Sequence, residues 1–217
     1  MDVELSRDRT KQLAFWNRLR NKIKSGQAVA DEQFDLIYPS SVSRLSQDHW
    51  TPVEVAMSAA NLLVTNVSDR VLDVGSGCGK FCTVAALTAG AQFVGIEQRA
   101  HLLSVARDVS RKLRVPNAKF KYGNMVNLDW SEYDAFYFFN PFYENQFKLA
   151  KIDDTVSVSR EKFNLYVETV ILKLREVKVN TRVVTYHGFG GIMPGCFELD
   201  QVKVAGSHQL DLWIKRA

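Results

Sequence analysis

The sequence predicts an α/β fold with a doubly wound, mostly parallel seven-stranded sheet, a C-terminal antiparallel hairpin and additional N-terminal helices. Strand-like and helical segments alternate from Arg70 onward, which is typical of a parallel sheet with helices on both faces. The last two strand-like runs are joined by a Gly-Ser turn with no room for a helix, which favours a hairpin. A glycine-rich turn follows the first strand, where such sheets bind ligands at their carboxyl edge.

We divide the 217 residues into an N-terminal helical extension, residues 1–50, and a main domain, residues 51–217. In the extension, residues 5–25 carry apolar side chains at helical spacing, and four of these are expected to face inward: Leu13, Trp16, Leu19 and Ile23. A second short helix is predicted over Asp31–Ile37, and the polar stretch Ser40–Trp50 is predicted to be a loop.

The main domain opens with a pattern that predicts a helix start. Thr51 is the expected N-cap, Pro52 fits the first helical position, and Glu54 completes a capping box. The seven predicted strands have the sequences RVLDVGS, AQFVGIE, AKFKYG, DAFYFFN, TRVVTYH, CFELDQVKVAG and SHQLDLWIKR. Helices are predicted between them at Lys80–Thr88, Ala100–Leu113 and Ser157–Val177.

The composition excludes several classes of protein. With 46% apolar and 24% charged residues, the chain is typical of a soluble globular domain. No apolar run approaches the roughly 18 residues of a membrane span, so we expect no membrane contact. The first residues lack the profile of a secretory signal, which predicts a cytoplasmic protein. The three cysteines include no C-x-x-C pair, which argues against a disulfide framework or a zinc site.

The net charge of +4 is concentrated at the N-terminus. Residues 1–25 contain seven basic and three acidic side chains, which account for the whole excess. Such a segment could contact an acidic partner or a nucleic-acid backbone. The alternative is a solvated face of an amphipathic helix, and the sequence favours this simpler interpretation.

The strongest motif is VLDVGSGCGKF, residues 71–81, a strand followed by a glycine turn and a helix start. Its G-x-G-x-G spacing differs from the G-x-G-x-x-G of dinucleotide sites, and Phe81 stands where a phosphate-binding loop needs Ser or Thr. Asp73 precedes the first glycine, and its carboxylate would repel a pyrophosphate but suits a ligand with a cationic amino group.

This motif resembles motif I of the class I S-adenosylmethionine-dependent methyltransferases, and the resemblance extends from about Thr51 to the C-terminal hairpin. It implies that S-adenosylmethionine is the cofactor. Its amino-acid end would contact residues of the motif and of the loop before it: Thr51, Asp73, Gly75, Ser76, Gly77 and Gly79. The resemblance also implies an acid after the second strand that accepts from the ribose hydroxyls. Glu97 stands there, beside Gln98.

A third group of cofactor contacts is expected after the third strand. Many relatives have an acid there that faces the adenine amino group, whereas this sequence has Asn124. Its amide oxygen can accept from the amine without charge assistance. Met125 would add a backbone contact and an apolar wall.

The fourth strand ends in FFNPFYEN, which resembles the (D/N/S)-P-P-(Y/F) motif of amino-group methyltransferases. The resemblance implies that Asn140 and the Pro141 carbonyl accept from the target nitrogen, and that Tyr143 covers it. Phe142 departs from the motif, because it replaces the second proline. The alternative is structural: Asn140 caps a turn, Pro141 ends the strand, and the two aromatic residues belong to the core.

The acceptor is expected to be a protein amine or another amine. The short stretch HWTPVEV, together with an asparagine followed by aromatic residues, resembles non-SET histone-lysine methyltransferases and favours a protein. Two alternatives stay open: an RNA methyltransferase that uses the basic N-terminus, and a cofactor-binding module without catalysis. Tyr186 or His187, at the end of the fifth strand, could line the same site.

Overall fold

The centre of the protein is a sheet of seven strands in a computed structural model that describes residues 2–147 and 150–217, with side chains from residue 10 onward. The strands are β1 (Arg70–Val74), β2 (Gln92–Glu97), β3 (Ala118–Tyr122), β4 (Ala135–Phe139), β5 (Arg182–Tyr186), β6 (Phe197–Ala205) and β7 (His208–Lys215). Their order is β3-β2-β1-β4-β5-β7-β6. The first five are parallel and β7 is antiparallel to both neighbours, which confirms the predicted fold class.

The helices lie before the sheet and between its strands. They are α1 (Asp2–Lys24), α2 (Asp31–Asp35), α3 (Ser40–Ser43), α4 (Ser46–His49), α5 (Val53–Leu63), α6 (Lys80–Ala89), α7 (Ala100–Lys112) and α8 (Arg160–Glu176). The three helices predicted between strands are confirmed, with ends that differ by a few residues. The prediction of a loop over Ser40–Trp50 is wrong, because this stretch contains α3 and α4. Its apolar residues Val42 and Trp50 are buried, which draws the chain onto the core.

The predicted capping box at the start of α5 is also wrong. The helix begins at Val53, whose N–H donates to the Asp31 carboxylate of α2 at 2.9 Å. Because an acid from a distant element satisfies this free N–H, Thr51 is not needed as a cap. Thr51 is buried instead, with its hydroxyl 3.2 Å from the Tyr137 hydroxyl of β4.

Helix α1 packs against α6 through part of its predicted apolar face. Leu19 and Ile23 are fully buried and Trp16 is partly buried, as predicted. Leu13 is 41% exposed, so its predicted inward position is wrong. Among the α1 side chains that the structure describes, from residue 10 onward, the buried ones are Leu19 and Ile23, near the C-terminal end of the helix.

Two apolar clusters cover the two faces of the sheet. One contains buried side chains of α8 together with Trp130, Tyr133 and Phe138. The other joins α5, α6 and α7 to residues from the N-terminal extension: Leu19, Ile23, Phe34, Val42 and Trp50. The extension therefore shares one continuous core with the main domain.

Candidate active site

A cleft lies at the carboxyl ends of β1 to β4, on both sides of β1. We call it the main cleft, and its lining includes Gly75, Gly77, Glu97, Asn124 and Asn140. Beta1 pairs with β2 on one side and β4 on the other, so this is the point where the strand order reverses. Open α/β sheets bind ligands at such a point. The topology thus brings part of the predicted cofactor set and the predicted acceptor residues Asn140, Pro141 and Tyr143 into one cleft.

A smaller cavity adjoins the main cleft and holds the acid of the glycine motif. This small cavity is lined by Thr51, Asp73, Ser76, Lys80 and Phe81. Both spaces share His49, Trp50, Val74, Gly75 and Phe139 as lining residues. His49 and Trp50 of the N-terminal extension therefore contribute to the boundary between the two spaces, together with three residues of the main domain.

The three motif glycines have positive φ angles, of 79° at Gly75, 53° at Gly77 and 75° at Gly79. A Cβ at Gly77 would lie 2.4 Å from the Trp50 ring, and one at Gly79 would lie 2.5 Å from the Phe120 ring. The protein's own side chains thus fill the space that a Cβ would take at Gly77 and Gly79, so these two glycines permit close internal packing.

Asp73 is buried, and its carboxylate accepts few hydrogen bonds from the described residues. Among the described residues, the donor to its carboxylate is the Cys82 thiol, at a sulfur–oxygen distance of 3.4 Å. Burial raises the pKa of Asp73 to about 7, and the nearby Glu97 charge adds to this effect. A buried carboxylate with spare acceptor capacity suits a cationic amino group, so the residue fits its predicted partner.

Ser76 adds a second unsatisfied group to the small cavity. Its backbone N–H donates to the Ile96 carbonyl at 3.0 Å, which fixes the turn. Its hydroxyl is buried without a hydrogen-bond partner among the residues that the structure describes. Buried polar atoms normally have partners. The orphaned hydroxyl beside Asp73 therefore fits a polar ligand such as the amino-acid end of S-adenosylmethionine.

Glu97 is held in place by two backbone donors. Its carboxylate accepts from the Gly77 N–H at 3.0 Å and from the Arg99 N–H at 2.8 Å. These bonds oppose the effect of burial, which raises the pKa of Glu97. A carboxylate has about four acceptor positions, so positions remain for two vicinal hydroxyls. Glu97 and Gln98 both line the main cleft, as predicted for ribose contacts.

Asn124 and Met125 also line the main cleft, but Asn124 is already engaged within the protein. Its amide oxygen accepts from the Val126 N–H at 3.0 Å, and its amide nitrogen donates to the Tyr166 hydroxyl at 3.0 Å. One acceptor position stays free for an adenine amino group. Met125 is buried and forms an apolar wall.

The acceptor motif lies directly against the glycine motif. A Cβ at Gly75 would lie 3.1 Å from the Pro141 Cβ, so the two loops are in contact. Asn140 has a φ of 40°, in the left-handed region that asparagine tolerates better than most residues. Its N–H donates to the Gly188 carbonyl at 3.0 Å, and its carbonyl accepts from the Tyr143 N–H at 3.2 Å. The side chain is therefore not needed to cap this turn.

The two aromatic residues of the motif differ in burial. Phe142 is buried and packs on Tyr166, with ring centroids 5.2 Å apart, so it belongs to the core. Tyr143 is 43% exposed and lies beside Phe147, which is 51% exposed. Their ring centroids are 4.6 Å apart. The structural alternative is thus correct for Phe142, whereas Tyr143 is available at the edge of the main cleft.

Tyr186 and His187 lie beside this site rather than in it. His187 has a φ of 61°, and its ring centroid is 5.6 Å from that of Phe139, which lines the main cleft. It also contacts His208, at a centroid distance of 4.2 Å. Partial burial lowers the pKa of His187, with a further contribution from His208. Neither Tyr186 nor His187 belongs to the lining of the main cleft or the small cavity.

The sequence reasoning missed Arg99. Its buried guanidinium pairs with Glu144 at 2.7 Å and with Asp153 at 3.1 Å. The pair with Glu144 ties residues 140–147, which we call the acceptor loop, to the turn after β2. The only sequence signal is its place two positions after Glu97.

The sequence did not indicate the ion pairs of Lys80. Lys80 pairs with Asp31 and Asp35, and those partners lie too far away in the chain for any local pattern to indicate them. His49 and Trp50 begin the stretch HWTPVEV, but their place in the wall of the small cavity was not predicted.

A family model described as "Methyltransferase domain" matches residues 65–183, more than half of the chain. The chain belongs to this family. The match includes β1 to β4 and the residues that line the cleft after them. With its seven-stranded sheet and reversed β7, the protein is a class I S-adenosylmethionine-dependent methyltransferase, and S-adenosylmethionine is its cofactor. The predicted family, enzyme class and cofactor are confirmed.

Solved structures with the same fold share little sequence with this methyltransferase. TrmN from Thermus thermophilus is 19% identical with a TM-score of 0.58, and the match covers 76% of this chain and 49% of TrmN. The yhhF protein from Escherichia coli is 16% identical with a TM-score of 0.51, over 74% and 83% of the two chains. A variant of MtNAS in complex with S-adenosylmethionine is 15% identical with a TM-score of 0.52, over 94% and 78%. No curated protein matches the sequence.

Within residues 2–147 and 150–217, no helix of the methyltransferase has both the length and the apolar character that crossing a bilayer requires. The same residues contain no group of three or more His, Cys, Asp and Glu side chains arranged to hold a metal ion.

Proposed function

We propose that this methyltransferase transfers a methyl group to the nitrogen of an amine, with a protein amine as the favoured acceptor. The observation that carries the proposal is the contact between Gly75 of the cofactor motif and Pro141 of the acceptor motif. Because Asn140 follows β4 and lines the same cleft as Glu97, an acceptor held by Asn140 would lie beside the cofactor.

The chemistry that we assign to this chain is binding and alignment. The bound cofactor would supply an electrophilic methyl group on a sulfonium. Asp73 and Ser76 would hold its amino-acid end, and Glu97 would hold its ribose. The Asn140 amide oxygen and the Pro141 carbonyl would accept from the acceptor N–H groups. This contact directs the nitrogen lone pair toward the cofactor, and alignment of this kind lowers the barrier substantially.

The exposed aromatic pair favours a cationic or amine-bearing acceptor. Tyr143 and Phe147 are next to Asn140 in the acceptor loop, and aromatic faces attract alkylammonium groups. The exposed carboxylate of Asp48 also lines the main cleft and would add to this attraction. A lysine side chain has the reach for such a site, and its ammonium would be attracted there. The ammonium would have to release a proton to solvent before transfer, because only the neutral amine has the lone pair that attacks the methyl group. A cytoplasmic location suits the three cysteines, which are free thiols.

Incubation with methyl-labelled S-adenosylmethionine and a cell extract tests the proposal. We expect label on a protein, in an acid-stable form that amino-acid analysis assigns to a methylated amine. Label on a carboxylate or a thiol would contradict nitrogen transfer. The absence of label from every macromolecule and small molecule would favour the alternative of a binding module without catalysis.

The RNA alternative rests on the charge of residues 1–25, which accounts for the net +4 of the chain. It predicts label on RNA, and RNA binding that weakens steeply as salt rises, because phosphate contacts release counterions. Absent or salt-insensitive binding would exclude it.

A further inference from the structure

Two of the five residues that line both the main cleft and the small cavity, His49 and Trp50, belong to the N-terminal extension, outside the matched residues 65–183. We name residues 31–50, which include α2, α3 and α4, the strap. His49 and Trp50, at its end, line both the main cleft and the small cavity. The strap is therefore placed to form one wall of the cofactor site.

Trp50 is the main contact of the strap with the glycine motif. Its ring packs on Gly77 so closely that any Cβ there would overlap it. Its indole N–H donates to the Val42 carbonyl at 3.0 Å, which fixes the ring within the strap. The position of Trp50, and with it the shape of the wall, follows the position of the strap.

A buried lysine fastens the strap to the same motif. The Lys80 ammonium lies 2.6 Å from the Asp31 carboxylate and 2.8 Å from that of Asp35, and it donates to the Ser46 hydroxyl at 2.9 Å. Its side chain is 1% exposed. Lys80 is the first residue of α6, directly after Gly79, so one residue joins the glycine turn to both ends of the strap.

Asp31 extends the connection to a third element. The carboxylate oxygen that contacts Lys80 also accepts from the Val53 N–H at the start of α5. Phe34 lies between the two acids in sequence and is fully buried, with the Lys80 ammonium 5.7 Å from its ring centroid. The ion pairs, the helix cap and the apolar contact all hold the strap in one position.

We propose that the strap is an integral wall of the cofactor site and that Lys80 is the positioning residue that holds it against the glycine motif. The proposal rests on the binding of cofactor in the main cleft and the small cavity. If the strap must be docked for tight binding, docking and cofactor affinity are coupled, and the coupling is reciprocal. Bound cofactor must then shift the equilibrium toward the docked strap by the same factor by which docking strengthens cofactor binding.

The test uses the full chain, with S-adenosylhomocysteine as the probe in calorimetry and in hydrogen exchange. For the wild type we expect binding, together with slower exchange across residues 31–50 when the probe is present. For Lys80→Met we expect faster exchange confined to the strap, normal protection of β1 and β4, and affinity weakened about tenfold or more. This restriction to the strap distinguishes positioning from a general loss of stability.

Two milder variants cover the case in which Lys80→Met does not fold. Asp35→Asn removes one carboxylate charge and leaves Asp31 to pair with Lys80. Asp31→Asn removes the other, while its amide oxygen can still cap Val53. Each is expected to show the same changes to a smaller extent. Lys178→Met is a control for the loss of a lysine ion pair outside the site, because it removes the pair with Asp134, just before β4 at the amino ends of the parallel strands. It should bind like the wild type.

Three outcomes would overturn the proposal. Wild-type affinity in a variant whose strap exchanges rapidly would show that the strap is not part of the site. Exchange of residues 31–50 that is the same with and without bound probe would show that docking and binding are not coupled. A wild-type protein that does not bind the probe would refute the cofactor assignment itself, which distinguishes that failure from a failure of the strap.

Discussion

At the scale of single residues, the chemistry of the site depends on two side chains whose surroundings are unusual. Asp73 is a buried carboxylate that accepts a hydrogen bond from the Cys82 thiol. Asn140 is a non-glycine residue whose backbone lies in the left-handed region of φ and ψ. Both features are unfavourable for folding alone. A ligand that satisfies the carboxylate and an acceptor that uses the amide would explain why each is there.

We expect Asp73→Ala to abolish measurable binding of S-adenosylhomocysteine in calorimetry, because the ligand's amino group loses its carboxylate partner. Asp69→Ala is a suitable control, since its carboxylate accepts from Thr65 and Asn66 in an exposed turn outside the site. Near-normal affinity in the Asp73 variant would contradict the motif assignment.

The affinity for S-adenosylhomocysteine should also depend on pH. The pKa of Asp73 is about 7 in the protein without ligand. At a pH below this pKa, the Asp73 carboxyl is mostly protonated and must release its proton to bind a cation. Affinity is therefore expected to rise about tenfold per pH unit toward neutrality and to level off above it, which calorimetry between about pH 5 and about pH 8 can measure.

His49 is the control for this pH dependence, because it also lines the cleft and its imidazole can gain a proton. Burial lowers the pKa of His49, so its charge appears only at lower pH than usual. His49→Gln should keep the rise in affinity toward neutral pH. A flat profile in this variant would assign the effect to the histidine instead of Asp73.

We expect Asn140→Ala to retain cofactor affinity while turnover falls roughly a hundredfold, since the acceptor nitrogen loses its alignment. The φ of 40° makes alanine unfavourable there by about 1 kcal/mol, so stability must be measured in parallel. Asn140→Gly separates the two effects, because glycine accepts the backbone angle but provides no amide. Normal turnover in the glycine variant would show that the asparagine is structural.

At the scale of elements, packing explains why the acceptor loop lacks the second proline of the motif that it resembles. Phe142 occupies the position of the second proline, and its ring is part of the cluster beneath α8. The loop is held instead by Glu144, which pairs with Arg99 at 2.7 Å. An ion pair and a buried ring thus replace the rigidity that a proline would give.

Phe142→Pro, which recreates the motif of the relatives, should therefore destabilise the protein by about 3 kcal/mol or more, as other losses of buried phenylalanines do. The φ of −116° at this position also lies outside the range of proline. Denaturant unfolding would measure the loss, with Phe142→Leu as a control that keeps an apolar side chain. A proline variant as stable as the wild type would contradict the core assignment.

At the scale of the whole molecule, the N-terminal extension and the main domain depend on each other. Leu19, Ile23 and Phe34 are buried in the same cluster as the helices that cover the sheet. Lys80 has its ion-pair partners in the extension, and a buried charge that loses its partners is strongly destabilising.

We predict that residues 51–217 alone will not give a cooperative thermal transition, although the family model lies entirely within them. Circular dichroism and calorimetry of this fragment and the full chain provide the test. A cooperative transition of the fragment within a few degrees of the full chain would show that the main domain folds by itself.

The sequence alone determined the fold class, the seven strands, the family and the place of Asp73 and Glu97. These features depend on local periodicity, turn residues and short spacings, and such patterns persist wherever the chain folds. Asn140 was identified through the resemblance of FFNPFYEN to the acceptor motif of amino-group methyltransferases, at the end of a predicted strand.

Only the tertiary structure decided which side chains fill the glycine turn, what caps α5 and what Phe142 does. Trp50 on Gly77, Asp31 on Val53 and Lys80 between two acids all join residues that are distant in the chain. No local pattern encodes such contacts, since burial and ion pairing depend on which surfaces the topology brings together.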